Sequence, residues 1–203
     1  PESETHQKFA QNQKEPNPRV DEINTLSTSH KESVKLALKE WEKVANIVFE
    51  EVQEVDNSAG TIRFGFTNHS KIASDGNPAA AWAVPPSPSP LSGDIWLHMD
   101  SIGDNYVQGK GYGFATLLHE IGHALGLKHP FENTKTLPAA LDKSTYTIMS
   151  YTDDINVYNG EDYLISSTPM VLDIAAIQYL YGAAPYNEES TVYSFDNTKP
   201  FAK

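Results

Sequence analysis

Three histidines fall within one short stretch, His119-Glu120-Ile121-Gly122-His123-Ala124-Leu125-Gly126-Leu127-Lys128-His129. Four residues advance a helix by about 400°, so His119 and His123 share one face, a turn apart, and both imidazoles can reach one metal ion. Glu120 sits about 100° further around, placed to reach a water on that ion without being a ligand. Gly126 can take a positive φ at no steric cost, ending the helix and turning the chain so that His129 returns to the same ion. Three protein nitrogens leave a fourth position for water, the pattern of a catalytic and not a structural zinc site. The plainer reading is three histidines near a helix, satisfied by ordinary hydrogen bonds. The fixed spacing favours the metal.

Elements must hold these groups in place. Gly111 to Leu125 reads as the helix that carries His119 and His123, stopped by Gly126. Before it, Ser29 to Glu32 has the form of a capping box, and Val34, Leu36, Leu38, Trp41, Val44 and Ala45 recur at helical spacing. A helix is expected from about His30 to Ala45. Ile47 to Val52 and Thr61 to Phe66 alternate and are β-rich, and both read as strands. Ala79 to Val84 is a further strand, ended by Pro85 to Pro90, and Asp94 to Met99 is another. Pro169 to Tyr181 reads as a third helix closed by Gly182, and residues 130–168 as a long irregular region. The expected class is α+β (mixed α/β), a twisted mixed sheet of about five strands with three helices.

The 203 residues suffice for one domain with a core, at 39% apolar and 21% charged. The formal charge of −12 repels phosphate backbones and argues against nucleic acid as a partner. No apolar run reaches the ~18 residues of a membrane span. The chain has no cysteine, which excludes thiolate zinc sites and cysteine nucleophiles. Asp100, Asp104 and the pair Asp153 and Asp154 are candidates for calcium, although none matches an EF-hand loop, and solvated acidic loops are the plainer reading. His98 alternates within a strand and reads as packed or solvated. His6, His30 and His69 lie in polar surroundings and read as surface residues.

The three-histidine stretch matches the metzincin zinc-peptidase signature. Its flanks resemble the serralysins. Pro130 follows the third histidine as it does in that family, where astacins have Glu, reprolysins Asp and many matrixins Ser. Thr147-Ile148-Met149-Ser150-Tyr151 resembles the serralysin Met-turn. Val44 to Val52, Ser92 to Leu97 and Pro169 to Gly182 resemble serralysin strands and the third helix, so the likeness runs from about Ser29 to Gly182.

The resemblance implies a zinc-dependent endopeptidase with one catalytic zinc on His119, His123 and His129 and Glu120 as general base. It implies that Tyr151 is a displaceable fifth ligand that later donates to the reacting carbonyl; a half-buried core tyrosine is the ordinary alternative. Met149 would form an apolar floor beneath the metal. Asp173 would be buried and bonded to the Met-turn backbone, or simply be a helix-start carboxylate favoured by the dipole. Ala81, Trp82, Ala83 and Val84 would pair with substrate backbone along a sheet edge. The histidine-bearing helix would divide an upper sheet subdomain from a lower, loop-rich one. Protein or peptide substrate, a proteinaceous inhibitor, secretion and a monomeric state complete the expectation.

Residues 1–28 are expected to form an arm, 29–182 the catalytic domain and 183–203 a linker toward a further domain. Thr191 to Asp196 resembles the lead-in to the Gly- and Asp-rich calcium repeats of many serralysins. Two positions depart from the pattern: Phe131 stands where many serralysins have glycine, and Thr152 where many have tryptophan. A first sheet strand before the helix at His30 is weakly marked, with Gln7 to Gln11 the nearest candidate. One rival is a matrixin-type peptidase, against which Tyr151 speaks. Another is a zinc-containing peptide- or matrix-binding module, against which Glu120 speaks, because zinc binding alone does not need that carboxylate.

Overall fold

Apolar side chains at helical spacing and two β-rich runs converge on one core in the computed structural model, which describes residues 23–53, 59–68, 79–98, 111–132, 134–152 and 165–185. Helix α1, Thr28–Glu42, buries Val34, Ala37 and Trp41 along one stripe. Its N-cap is Ser27, whose side chain accepts from the His30 N–H. The cap therefore lies two residues before the expected box at Ser29, which sits inside the first turn. The reason is local: Ser27 is extended at φ −67° and ψ 166°, aiming its oxygen at a helix-start N–H that has no intrahelical acceptor. His30 is not a plain surface residue either. Its ring meets Phe66 edge-on at 4.7 Å, because this turn of α1 lies over the sheet.

The sheet contains β1 (Ile23–Asn24), β2 (Arg63–Thr67), β3 (Ala81–Ala83) and β4 (Asp94–His98), in the order β1-β2-β4-β3. The central pair, β2 and β4, is parallel, and the flanking pairs are antiparallel. All five residues of β4 are buried, His98 among them, as a central strand covered on both faces requires. A buried ion pair, Arg63 Nε to Asp94 Oδ1 at 2.6 Å, fastens the start of β2 to the start of β4. Arg63 also donates to the Pro90 carbonyl and so holds the proline-rich connection between β3 and β4.

Four strands are present among the described residues, one fewer than expected. The difference is Ile47 to Val52, which forms no ladder. Its alternation is met in another way: Ile47 and Phe49 pack against the core, while Val48 is 89% exposed and Val52 55%. The Phe49 N–H donates to the Glu42 carboxylate and not to a neighbouring strand. In its place the short β1, lying within the expected arm, extends the sheet. Gln7 to Gln11 lies outside the described residues.

Helix α2, Gly111–Ala124, packs on α1 and on β3 and β4. Phe114, Leu117, Leu118, Ile121 and Leu125 form its core stripe. His119 and His123 fall roughly 140–180° around from Phe114, so burial of the stripe turns the two imidazoles away from the sheet. Helix α3, Val171–Tyr181, ends at Gly182 with φ 83°. Among the described residues no helix is long and apolar enough to cross a membrane.

Gly122 marks the closest approach to α2. A Cβ there would stand 2.8 Å from Met149 Sδ and 3.3 Å from Trp41 Cζ2. Both neighbours are buried in the close-packed core, so an added side chain must displace them. Gly122→Val is expected to destabilise the fold by about 1–3 kcal/mol, despite removing a helical glycine. Urea unfolding monitored by tryptophan fluorescence reads this directly, and a variant as stable as the parent would refute the close packing.

Candidate metal centre

His119 and His123 leave α2 one turn apart. After Ala124 the chain turns at Gly126, whose φ of +103° disfavours any side chain. The Leu127 N–H donates to the Gly122 carbonyl and closes the helix end. That turn returns His129 to the histidine face. His129 Nε2 lies 3.2 Å from His119 Nε2 and 3.1 Å from His123 Nε2.

The other ring nitrogens decide what these contacts are. His119 Nδ1 is 2.7 Å from the Ile148 carbonyl, His123 Nδ1 is 2.9 Å from the Leu127 carbonyl, and His129 Nδ1 is 2.6 Å from Glu132 Oε1. Carbonyl and carboxylate oxygens only accept, so each Nδ1 must carry the proton. In each neutral ring the proton is then spent, and Nε2 presents a lone pair. Three lone pairs converging at this range call for an electrophile between them. Tetrahedral zinc with bonds of ~2.05 Å needs ligand separations of about 3.3 Å, close to those present. Burial, then the charge His123 would carry, pushes the His119 imidazole down to about 3, against the opposing pull of the Ile148 bond. At neutral pH it is therefore an uncharged donor. Among the described residues this is the one group of such side chains able to hold a metal ion. Asp100, Asp104, Asp153 and Asp154 lie outside the described residues.

The turn Thr147 to Tyr151 meets the histidines through the Ile148 carbonyl and the Tyr151 ring. Met149 is buried against Gly122 of α2. The turn is tied down by Asp173, in the first turn of α3 and 2% exposed. Its Oδ1 accepts from the Thr147 hydroxyl, and its Oδ2 from the Ile148 and Met170 N–H groups at 2.9 and 2.8 Å. Asp173 thus links Met170, the N-cap of α3, to Ile148 of the turn. Burial pushes the Asp173 carboxyl above its ordinary value, and the three hydrogen bonds pull the other way.

Glu120 is buried beside the histidines on α2. Tyr151 is 55% exposed, with its ring 4.6 Å from that of His129 and 5.7 Å from that of His119. Of the proposed substrate strand, Ala81 and Trp82 are buried and Ala83 is half-buried. β3 lies at the edge of the sheet, paired to β4 on one side, and Val84 extends the pairing by donating to the Asp94 carbonyl. Two neighbours of the site carried no functional assignment in the sequence. Phe131 stacks on His129 at 5.0 Å and 5°, and Glu132 takes its Nδ1–H. A carboxylate three residues after a candidate ligand histidine was the available signal.

Known proteins place this arrangement. The sequence model of the M10 peptidase family, described as matrixin, matches residues 18–160, and the chain belongs to that family. Within it the likeness is to serralysins. Serralysin of Photorhabdus laumondii subsp. laumondii is 33% identical over 193 residues, spanning 88% of this chain and 38% of that protein. Serralysin B of Dickeya chrysanthemi is 32% identical over 176 residues, 82% of this chain and 36% of that one. Metalloprotease AprA of Pseudomonas entomophila is 36% identical over 191 residues, 86% and 38% respectively. The chain thus spans less than two fifths of the length of these relatives.

Asp173→Ala removes one acceptor shared by two backbone donors and a hydroxyl. Each buried donor left unmatched costs about 1–3 kcal/mol, so a loss of roughly 3 kcal/mol or more is expected. Asp173→Asn should lose less, because its amide oxygen still accepts both backbone bonds. Denaturant midpoints for the two variants check the order, and equal stability of Asp173→Ala and the parent would contradict the assignment.

Proposed function

We propose that this chain is the catalytic part of a zinc-dependent endopeptidase that cleaves protein substrates, with His119, His123 and His129 as zinc ligands. One observation carries the reading: three Nε2 atoms converge while every Nδ1 is engaged elsewhere. Residues 29–182 would form the catalytic domain, 1–28 an arm and 183–203 a linker. An extracellular site of action, a monomeric state and control by a proteinaceous inhibitor belong to the same reading.

Zinc bound there would polarise the scissile carbonyl and lower the pKa of its water toward ~7. Glu120 adjoins the first ligand on the same helix. It takes the proton of the attacking water and passes it to the leaving amine. The Tyr151 hydroxyl, on the open side of the site, donates a hydrogen bond to the oxyanion that develops at the carbonyl. Ala81 to Val84 lie on an edge strand, which offers backbone groups to an extended peptide. Phe131 stands beside the histidines where many serralysins have glycine, and would narrow the cleft at that point.

Casein cleavage with and without a chelator tests the reading, together with metal analysis. One zinc per chain and chelator-sensitive cleavage are expected. Zinc without cleavage would leave a zinc-containing binding module, and purified chain that takes up no zinc would end the metal assignment. Glu120→Gln should keep zinc and fold while lowering kcat by at least ~10²-fold, the scale of a general base. Wild-type turnover by that variant would remove Glu120 from the mechanism.

Tyr151→Phe should lower kcat more than it raises KM, since its bond forms only beyond the ground state. A fully aligned donor is worth roughly 2–4 kcal/mol, and less if the metal carries most of the charge. Steady-state kinetics on a peptide substrate separates the two constants. An unchanged kcat would leave Tyr151 a packing residue.

A further inference from the structure

The three histidines are not held alike. His119 and His123 stand on a helix, and each gives its Nδ1–H to a backbone carbonyl. His129 lies beyond the helix end, on a turn, and gives its Nδ1–H to the side chain of Glu132 at 2.6 Å. A ring on a turn has no helical neighbours to set its rotation, so its orientation must be imposed by contacts. Beside the Glu132 bond, three contacts hold the loop and cover the ring. The Glu132 N–H donates to the His129 carbonyl, which folds the turn back on itself. Lys128 Nζ donates to the carbonyls of Glu132 and Lys135, both at 2.7 Å, and pins the loop from its far side. Phe131 lies parallel to the imidazole and covers one face of it.

An ordinary exposed pair three residues apart would contribute little. This one differs because the His129 side chain is only 12% exposed, against 39% for Glu132, so its ring nitrogen faces protein and not bulk water. A ring flip would put Cε1 where Nε2 meets the other two histidines and would take Nδ1 away from the carboxylate. We infer that Glu132 is a positioning residue that locks His129 in the orientation and tautomer in which Nε2 faces the zinc site. The inference rests on the zinc reading above. The carboxylate bonds Nδ1, on the ring edge away from Nε2, and acts through the histidine, as groups behind metal-binding histidines do.

The test measures zinc affinity and not turnover. Zinc-free parent, Glu132→Ala and Glu132→Gln are titrated with zinc against a chromophoric chelator, and thermal unfolding of the zinc-free proteins serves as the control on folding. Glu132→Ala should bind zinc about 10–100-fold more weakly. Glu132→Gln keeps an oxygen that accepts the same bond, and should recover most of that loss, to within about fivefold of the parent. A Glu132→Ala variant that matches the parent overturns the inference. Equal losses in both variants also overturn it, because they would reduce Glu132 to a nearby negative charge. A parent that binds no zinc would overturn the zinc reading, and this inference with it. A parent that binds zinc beside an unaffected Glu132→Ala overturns the inference alone.

Discussion

Asp173 is the point on which the site depends. Its carboxylate reaches from the first turn of α3 to the Ile148 N–H, and the carbonyl of that same residue receives the His119 Nδ1–H. One buried acceptor thus sets the turn, and the turn sets the ring of a proposed ligand. It also caps α3 by accepting from Met170, so the helix start and the turn cannot shift independently. Three donors surround the buried carboxyl and offset part of the cost of removing it from water.

The same economy governs the histidines. Each gives up one nitrogen to an acceptor, and only then is its other nitrogen committed as a donor of electrons to a metal. The acceptors come from three places: the turn at Ile148, the helix end at Leu127 and the loop at Glu132. Without them a histidine could protonate either nitrogen, and the convergence of three lone pairs would be one arrangement among several. Burial adds to this at His119, whose imidazole is held neutral across the physiological range.

Packing supplies the precision. Gly122 lets Met149 and Trp41 approach α2 where any larger residue would push them away. The sheet contributes by turning the helix: its buried β4 and the stripe from Phe114 to Ile121 define which way α2 faces. His119 and His123 face away from the sheet because the opposite side of α2 is apolar. Sequence periodicity within α2 and the sheet it meets are therefore two halves of one constraint.

Much of this was legible in the residues alone. The spacing of His119, His123 and His129, with Gly126 between, marks a metal site because helix pitch and glycine's left-handed freedom are local properties. The helices ending at Ala124 and Tyr181, and the strands at Arg63, Ala81 and Asp94, follow from local patterns in the same way. Alternation at Ile47 to Val52 did not decide whether a strand would form there. Alternation states that one side is buried, whereas a ladder needs a neighbour with unused backbone groups. In the folded chain Phe49 donates to Glu42 instead. The cap at Ser27 and the packing of His30 on Phe66 likewise turned on where α1 came to rest. Ile148 and Leu127 accept through main-chain carbonyls, which every residue carries, so no residue type could announce them. Composition and spacing determined which atoms could bind a metal. Tertiary structure decided which nitrogen of each ring faces inward, because that choice belongs to the acceptor on the other side of the ring.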